Sequence, residues 1–314
     1  MGAFQSLISQ SYPPKSRFNV EDIPDLTGRV VIVTGANAGV GKETAKALLA
    51  HNAKVYIAGR NKEKVDAAIK DLKEQTGHEA LFLKLDLGDL TSVKASAEEF
   101  LSKEKELHIL FNNAGVMAPP HDQLTAQGYD LQFGTNLLGH FRFTTLLLPA
   151  LLAGAKTSPD QKARVVNTSS TAAYFSSDID FNAVIDGPRR KKTYSFSLYG
   201  YSKLGNVLFA NEFARRYGEQ GILSTSVNPG NLKSELQRHL SFFENLFVKP
   251  MLYAPSYGAL TQLWAGTSAE GLELNGQFLI PWARRTTRPP AGASNDKLAA
   301  DLWTWCEEQI AKHP

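Results

Sequence analysis

The sequence predicts an α/β fold: one doubly wound domain on a mostly parallel sheet of about seven strands, with helices on both faces. Three observations predict it. Short apolar runs bounded by turn residues recur along the 314-residue chain. Stretches of helix formers separate them. And the segment TGANAGVG (34–41) places Gly35, Gly39 and Gly41 directly after the first apolar run.

Residues 1–28 carry Pro13, Pro14 and Pro24 without a clear period and read as an irregular arm. The rhythm then begins. RVVIV (29–33) reads as a buried strand, 40–52 as a helix and KVYIA (54–58) as a second strand. In 61–77, Val65, Ala68, Ile69 and Leu72 recur near helical spacing, and Gly77 closes the helix. ALFLKLD (80–86) is a third strand, 91–104 a helix, LHILFNN (107–113) a fourth strand and about 124–152 a long helical stretch. RVVNTSS (164–170) is a fifth strand, 199–218 a helix and ILSTSVN (222–228) a sixth; NGQFLI (275–280) supplies a last one. Strand and helix in alternation mean βαβ units with right-handed crossovers, so the fold is Rossmann-type. No linker divides 29–314, which reads as one cofactor-binding and catalytic domain, with a substrate-binding region at about 231–270.

Composition narrows the function. At 43% hydrophobic and 21% charged, the chain can bury a full core. A net charge of +3 argues against a nucleic-acid binder. The single cysteine, Cys306, excludes a disulfide framework, and the seven histidines have no metal-ligand spacing. No secretory signal or membrane-length apolar run appears, so a cytoplasmic protein is expected. Met1–Ser6 fits the pattern for myristate on Gly2, which would add weak peripheral membrane association through the arm; a chance match is preferred.

Glycines between a first strand and a first helix mark the place where an open α/β sheet holds a dinucleotide, its pyrophosphate against the helix N-terminus. The alternative is a turn that needs positive φ. At the end of the second strand, where an NAD site usually has an acid, Gly59 is followed by Arg60, which can pair with a 2′-phosphate. NADP(H) is therefore expected ahead of NAD(H). Further on, Tyr199-Gly200-Tyr201-Ser202-Lys203 opens a helix and puts Tyr199 and Lys203 on one face. An ammonium beside a phenol lowers its pKa and suits the pair to moving a proton at a carbonyl or alcohol oxygen.

With these pieces the sequence resembles the short-chain dehydrogenase/reductase family over nearly its whole length. The matching motifs, in family order, are TGANAGVG, Asp86-Leu87, NNAG (112–115), Asn136, NTSS ending at Ser170, YGYSK and NPGNLKS (228–234). The resemblance implies Tyr199 as general acid/base and Ser170 as orienter of the substrate oxygen. It implies that Lys203 binds the nicotinamide ribose and lowers the Tyr199 pKa, and that Asn136 holds a relay water. For the cofactor it implies Gly35, Asn37, Gly39, Val40, Gly41, Arg60, Asp86, Leu87, Asn113, Ala114, Gly115, Tyr199, Lys203, Pro229, Gly230, Leu232 and Ser234. Ser234 stands where the family often has Thr, and Ser169 adjoins Ser170, so the choice between the two serines rests on alignment. NNAGVM, PSYGAL (255–260) and the long segment before Tyr199 most resemble the retinol-dehydrogenase and WW-domain oxidoreductase branch. Within that segment PRRKK (188–192) reads as a solvated loop.

After Pro229 the chain turns apolar. Phe242, Phe243, Phe247, Met251, Leu252 and Tyr253 line a hydrophobic pocket or, equally, ordinary core or a subunit interface. The expected activity is an NADP(H)-dependent oxidoreductase on a lipophilic ketone or aldehyde and its alcohol, reduction favoured. The alternative is a cofactor-binding sensor or scaffold without turnover. A homodimer is compatible with the family.

Overall fold

The computed structural model describes residues 2–233 and 252–314. Among them the sheet has eight strands in the order β3-β2-β1-β4-β5-β6-β7-β8. These are β1 (Val30–Thr34), β2 (Lys54–Gly59), β3 (Leu81–Lys84), β4 (Ile109–Asn112), β5 (Ala163–Thr168), β6 (Ile222–Val227), β7 (Phe278–Ile280) and β8 (Arg284–Arg285). All neighbours run parallel except β7 and β8, which are antiparallel. The expected seven become eight because β8, a two-residue return onto Leu279 and Ile280, is too short to leave a pattern. Strands β1 and β4 are buried along their whole length, which is why they read as unbroken apolar runs. The strand order reverses between β1 and β4, and in sheets of this kind ligands bind outside the carboxyl ends at that point.

Helices cover both faces. On one lie α2 (Gly39–Ala50), α3 (Lys62–Thr76) and α10 (Pro255–Thr267), packed through Leu48, Leu72 and Leu263. On the other lie α4 (Leu90–Lys103), α6 (Gly139–Leu146), α7 (Leu148–Thr157), α9 (Ser195–Tyr217) and α11 (Asp296–Ala311). Phe100, Phe141, Leu151, Phe213 and Leu302 form the core there.

Three expectations are corrected. The long helical stretch expected over about 124–152 is broken into a loop, a short α5 (Leu131–Phe133), one π turn (Gly134–Leu138), α6 and α7. Gly139 must pack directly on the Leu87 carbonyl, and Pro149 lacks the N–H a continuous helix needs, so the pieces bend apart. The arm is not irregular throughout: α1 spans Gly2–Ser11, and Phe18, Ile23 and Leu26 are buried against the α2 side of the sheet. Ser- and Gln-rich α1 has weak propensity and is held by tertiary bonds. Finally, PRRKK is a short helix α8 (Pro188–Lys192), and Arg190 in it is only 2% exposed. No single helix among the described residues is long and apolar enough to cross a membrane.

Candidate active site

The glycine segment turns the chain from β1 into α2. Gly35 and Gly39 have φ of +68° and +56°, a region that side chains strain to adopt. At Gly41 the constraint is space: a Cβ there would stand 2.5 Å from Asn113 Nδ2 and 2.7 Å from the Gly35 carbonyl. Close packing of helix on strand, as much as approach to a ligand, thus accounts for these glycines. The first turn of α2 still fits an anion. Its cap residue, Ala38, offers no side-chain acceptor, so the amides there are not claimed by a capping side chain. Gly59 ends β2 beside Asn37, and Arg60 after it is exposed, with no hydrogen bond or ion pair to another described residue. Asp86 follows β3 and accepts from the Gly88 amide at 2.9 Å, which fixes its carboxylate; Leu87 beside it is buried.

Beyond β4, Asn113 and Ala114 donate their amides to Thr34 Oγ1, both at 2.9 Å, and Asn113 Nδ2 donates to the Thr34 carbonyl at 2.8 Å. Gly115 comes next. A Cβ on it would lie 3.2 Å from Asn136 Oδ1 and 3.5 Å from Lys203 Nζ. Gly115 of NNAG, Asn136 and Lys203, between 21 and 88 residues apart in the chain, are therefore one cluster in space.

Around Tyr199 the predicted four residues meet. Tyr199 and Lys203 sit one turn apart on α9, with Nζ 5.6 Å from the ring centroid. Ser170 caps a 3-10 turn (Thr171–Phe175) after β5, and its side chain is placed against the Tyr199 hydroxyl so that it pulls the phenol pKa down. Its neighbour Ser169 is turned away, donating to the Lys203 carbonyl at 2.7 Å, so Ser170 is the serine that faces Tyr199. Burial pushes the Tyr199 phenol up to about 12, and the Ser170 bond pulls against that. Burial brings Lys203 down to about 7. Its ammonium donates to the Thr168 carbonyl at 2.9 Å, leaving further donors unclaimed by described residues. The Tyr199 phenol stands above its ordinary value, where the spacing to Lys203 predicts it below, because burial outweighs the pull of Ser170.

Asn136 is fully buried in the π turn. Its side chain clamps Val116, accepting from the amide at 2.8 Å and donating to the carbonyl at 3.0 Å, and donates to Ser202 Oγ at 3.0 Å. One residue that sequence reasoning missed holds this turn. His140 Nδ1 lies 3.0 Å from the Asn136 carbonyl, and Nε2 lies 2.9 Å from Thr34 Oγ1. A carbonyl only accepts, so Nδ1 carries the proton; burial lowers the His140 pKa to about 4, so Nε2 accepts from Thr34. The signal was its spacing, four residues after Asn136 on a helix.

Pro229 and Gly230 follow β6 in a turn where the Gly230 amide donates to Asn228 Oδ1 at 3.1 Å. Gly230 has φ +83° and lies against Trp282. Leu232 is buried and pairs with Tyr253, whose ring stands 5.2 Å from that of Trp282. Ser234, Phe242, Phe243, Phe247 and Met251 lie outside the described residues. Gln262, also missed, donates to Thr44 Oγ1 and accepts from Thr168 Oγ1, tying α10 to both halves of the site. The solvated reading of PRRKK fails at Arg190, which donates to Asp130 Oδ2 at 3.2 Å and to the carbonyls of His121 and Gln123 at 2.6 and 2.9 Å. That side chain fixes the loop before the π turn. Among the described residues no cluster could hold a metal ion.

Comparison with known proteins agrees with this layout. The family profile described as short chain dehydrogenase matches residues 29–179. A short-chain dehydrogenase/reductase of Armillaria gallica is 60% identical, over 98% of this chain and 99% of the relative. The crystal structure of an uncharacterized protein from Mycobacterium paratuberculosis is 29% identical, with a TM-score of 0.74 over 94% of this chain and 98% of that one. The Pseudomonas aeruginosa RhlG/NADP active-site complex, at 23% identity, shares the fold with a TM-score of 0.65 over 82% of this chain and 95% of that one. The chain belongs to the short-chain dehydrogenase/reductase family and is an oxidoreductase acting on CH–OH and C=O groups.

Proposed function

We propose that the protein reduces a lipophilic ketone or aldehyde to its alcohol with NADPH. One observation carries the substrate class. Phe175 and Phe196 are 64% and 57% exposed, with ring centroids 5.8 Å apart. Phe175 ends the turn that Ser170 begins, and Phe196 lies one helical turn before Tyr199. An exposed apolar pair carried on the same two elements as Ser170 and Tyr199 suits an apolar substrate with one reacting oxygen.

The α2 N-terminus and the segment Gly35–Gly41 suit the pyrophosphate, and Arg60 suits a 2′-phosphate. Asp86, Leu87, Asn113, Ala114 and Gly115 line the same crevice, with Pro229, Gly230 and Leu232 at its other end. NADP in the RhlG complex supports the same preference. When bound, the nicotinamide supplies the hydride. The rest falls to side chains. Tyr199 retains its proton at neutral pH and gives it to the carbonyl oxygen. Ser170 donates to that same oxygen and so orients it. Lys203 offers its remaining N–H donors to the cofactor side and to the phenolate that forms, which costs less beside a positive charge. Asn136, held by Val116 and His140, keeps the floor of the site in register.

The test is NADPH absorbance with purified protein against lipophilic ketones and aldehydes, beside NADH, with deuterium at the nicotinamide C4. Deuterium recovered on the carbinol carbon, with NADPH preferred, is the expected result. Tight NADPH binding without turnover of any carbonyl would instead favour the sensor or scaffold reading.

A further inference from the structure

The arm has no part in the activity derived so far, yet α1 lies across the carboxyl ends of β6 and β7. Gln10 is 1% exposed, and its Oε1 accepts from Asn228 Nδ2 at 2.8 Å. The other end of Asn228 accepts from the Gly230 amide. Gln10 therefore braces the Asn228–Gly230 turn from behind. Its Nε2 donates to Ser6 Oγ at 3.0 Å, and Ser6 stands 3.5 Å from the hydroxyl of Tyr174, which belongs to the turn that Ser170 caps. Arg284, just past β7, grips the same helix through Ser9, at 3.0 Å to Oγ and 2.8 Å to the carbonyl. One helix thus bonds both to the turn after β6 and to the turn that Ser170 begins.

We infer that α1 is a wall of the substrate cleft, with Gln10 a positioning residue that sets the Asn228–Gly230 turn against the Ser170 turn. Parallel sheets bind ligands at these strand ends, and α1 closes them on the β6–β7 side. A helix so placed limits the length and shape of the carbonyl compound that reaches Tyr199. It is also committed to the domain, which leaves it poorly placed to serve as a membrane anchor.

The inference rests on the carbonyl-reductase reading, so wild-type turnover is measured first. Gln10→Met keeps the length of the side chain and leaves Asn228 Nδ2 without its acceptor. The expected result is a KM for the carbonyl raised about fivefold, as befits one buried hydrogen bond, with kcat and the NADPH Kd within about twofold. The order of preference within a chain-length series should change as well. A Gln10→Met protein that folds and keeps the wild-type KM and preferences overturns the inference. Hydrogen exchange on unaltered protein gives a second arm that needs neither a folded variant nor turnover. Amides 5–11 should slow when NADPH is added, because the turn they brace borders the crevice, and unchanged exchange there counts against α1 whatever the substrate.

Discussion

Two buried polar pairs in this fold, Arg190 with Asp130 and Lys203 with Tyr199, do opposite things. Arg190 and Asp130 are 2% and 1% exposed; Lys203 and Tyr199 are 4% and 6% exposed. At Asp130 every demand is met from within: Arg190 bonds its carboxylate and two loop carbonyls, and the amides of Gln132 and Phe133 donate to the other oxygen at 3.0 and 3.1 Å. Burial still pushes the Asp130 carboxyl up, with Arg190 and the two amides opposing it. At Lys203 the protein supplies the Thr168 carbonyl and little more, and the Tyr199 hydroxyl meets Ser170 alone. Burial and a shifted pKa mark both places. What separates a reacting site from a structural rivet is hydrogen-bond capacity left over after the protein has taken its share.

The comparison can be broken at either end. Tyr199→Phe should lower kcat by about 10²–10⁴-fold while changing stability by no more than about 1 kcal/mol, read by steady-state kinetics and thermal unfolding. A variant that keeps its rate would remove Tyr199 from the chemistry. Arg190→Met should do the reverse. It strands Asp130 in the core and should cost about 3–5 kcal/mol of unfolding free energy by denaturant titration, whereas kcat of the folded fraction changes little. His140→Phe, which leaves Thr34 and the Asn136 carbonyl short of a partner, should cost about 1–3 kcal/mol and weaken NADPH binding together. Unaltered binding would show that the π turn holds without it.

Lys203 sharpens the contrast through pH. Its folded pKa, about 7, lies below the unfolded value, so above pH 7 the unfolded chain binds more protons and folding gains stability with rising pH. Compared with Lys203→Met in the absence of cofactor, the wild type should gain about 1–3 kcal/mol between pH 7 and about 9. A flat difference would mean that the ammonium is better solvated than its surroundings suggest. The smallest effect is expected at exposed Arg60: Arg60→Ser should cut the preference for NADPH over NADH by about tenfold, and no change would leave Arg60 a solvated residue.

Much of the cleft could be read in advance because its residues act locally. Tyr199 and Lys203 share a helix face by spacing alone, and the glycines announce a strand-to-helix turn. Strands β1 and β4 are apolar up to their last residues, Thr34 and Asn112, because both faces are buried. What escaped reading depends on contacts distant in sequence. Arg190 looked like one of four solvated cations; only the loop at 121–130 makes it a buried one. Helix α1 has only Phe4, Leu7 and Ile8 at helical spacing among serines and glutamines, and is held because Asn228 and Arg284 reach it across more than 200 residues. The raised Tyr199 pKa escaped for a related reason: spacing places an ammonium nearby but does not report how dry the phenol is.

Spare hydrogen-bond capacity, rather than burial, locates the reaction. The most direct measurement is the crossed one: kcat for carbonyl reduction and the thermal midpoint, for Tyr199→Phe and Arg190→Met together. The account predicts that the first variant loses rate and keeps its midpoint, and that the second loses its midpoint and keeps its rate. Loss of rate in folded Arg190→Met equal to that in Tyr199→Phe would contradict it.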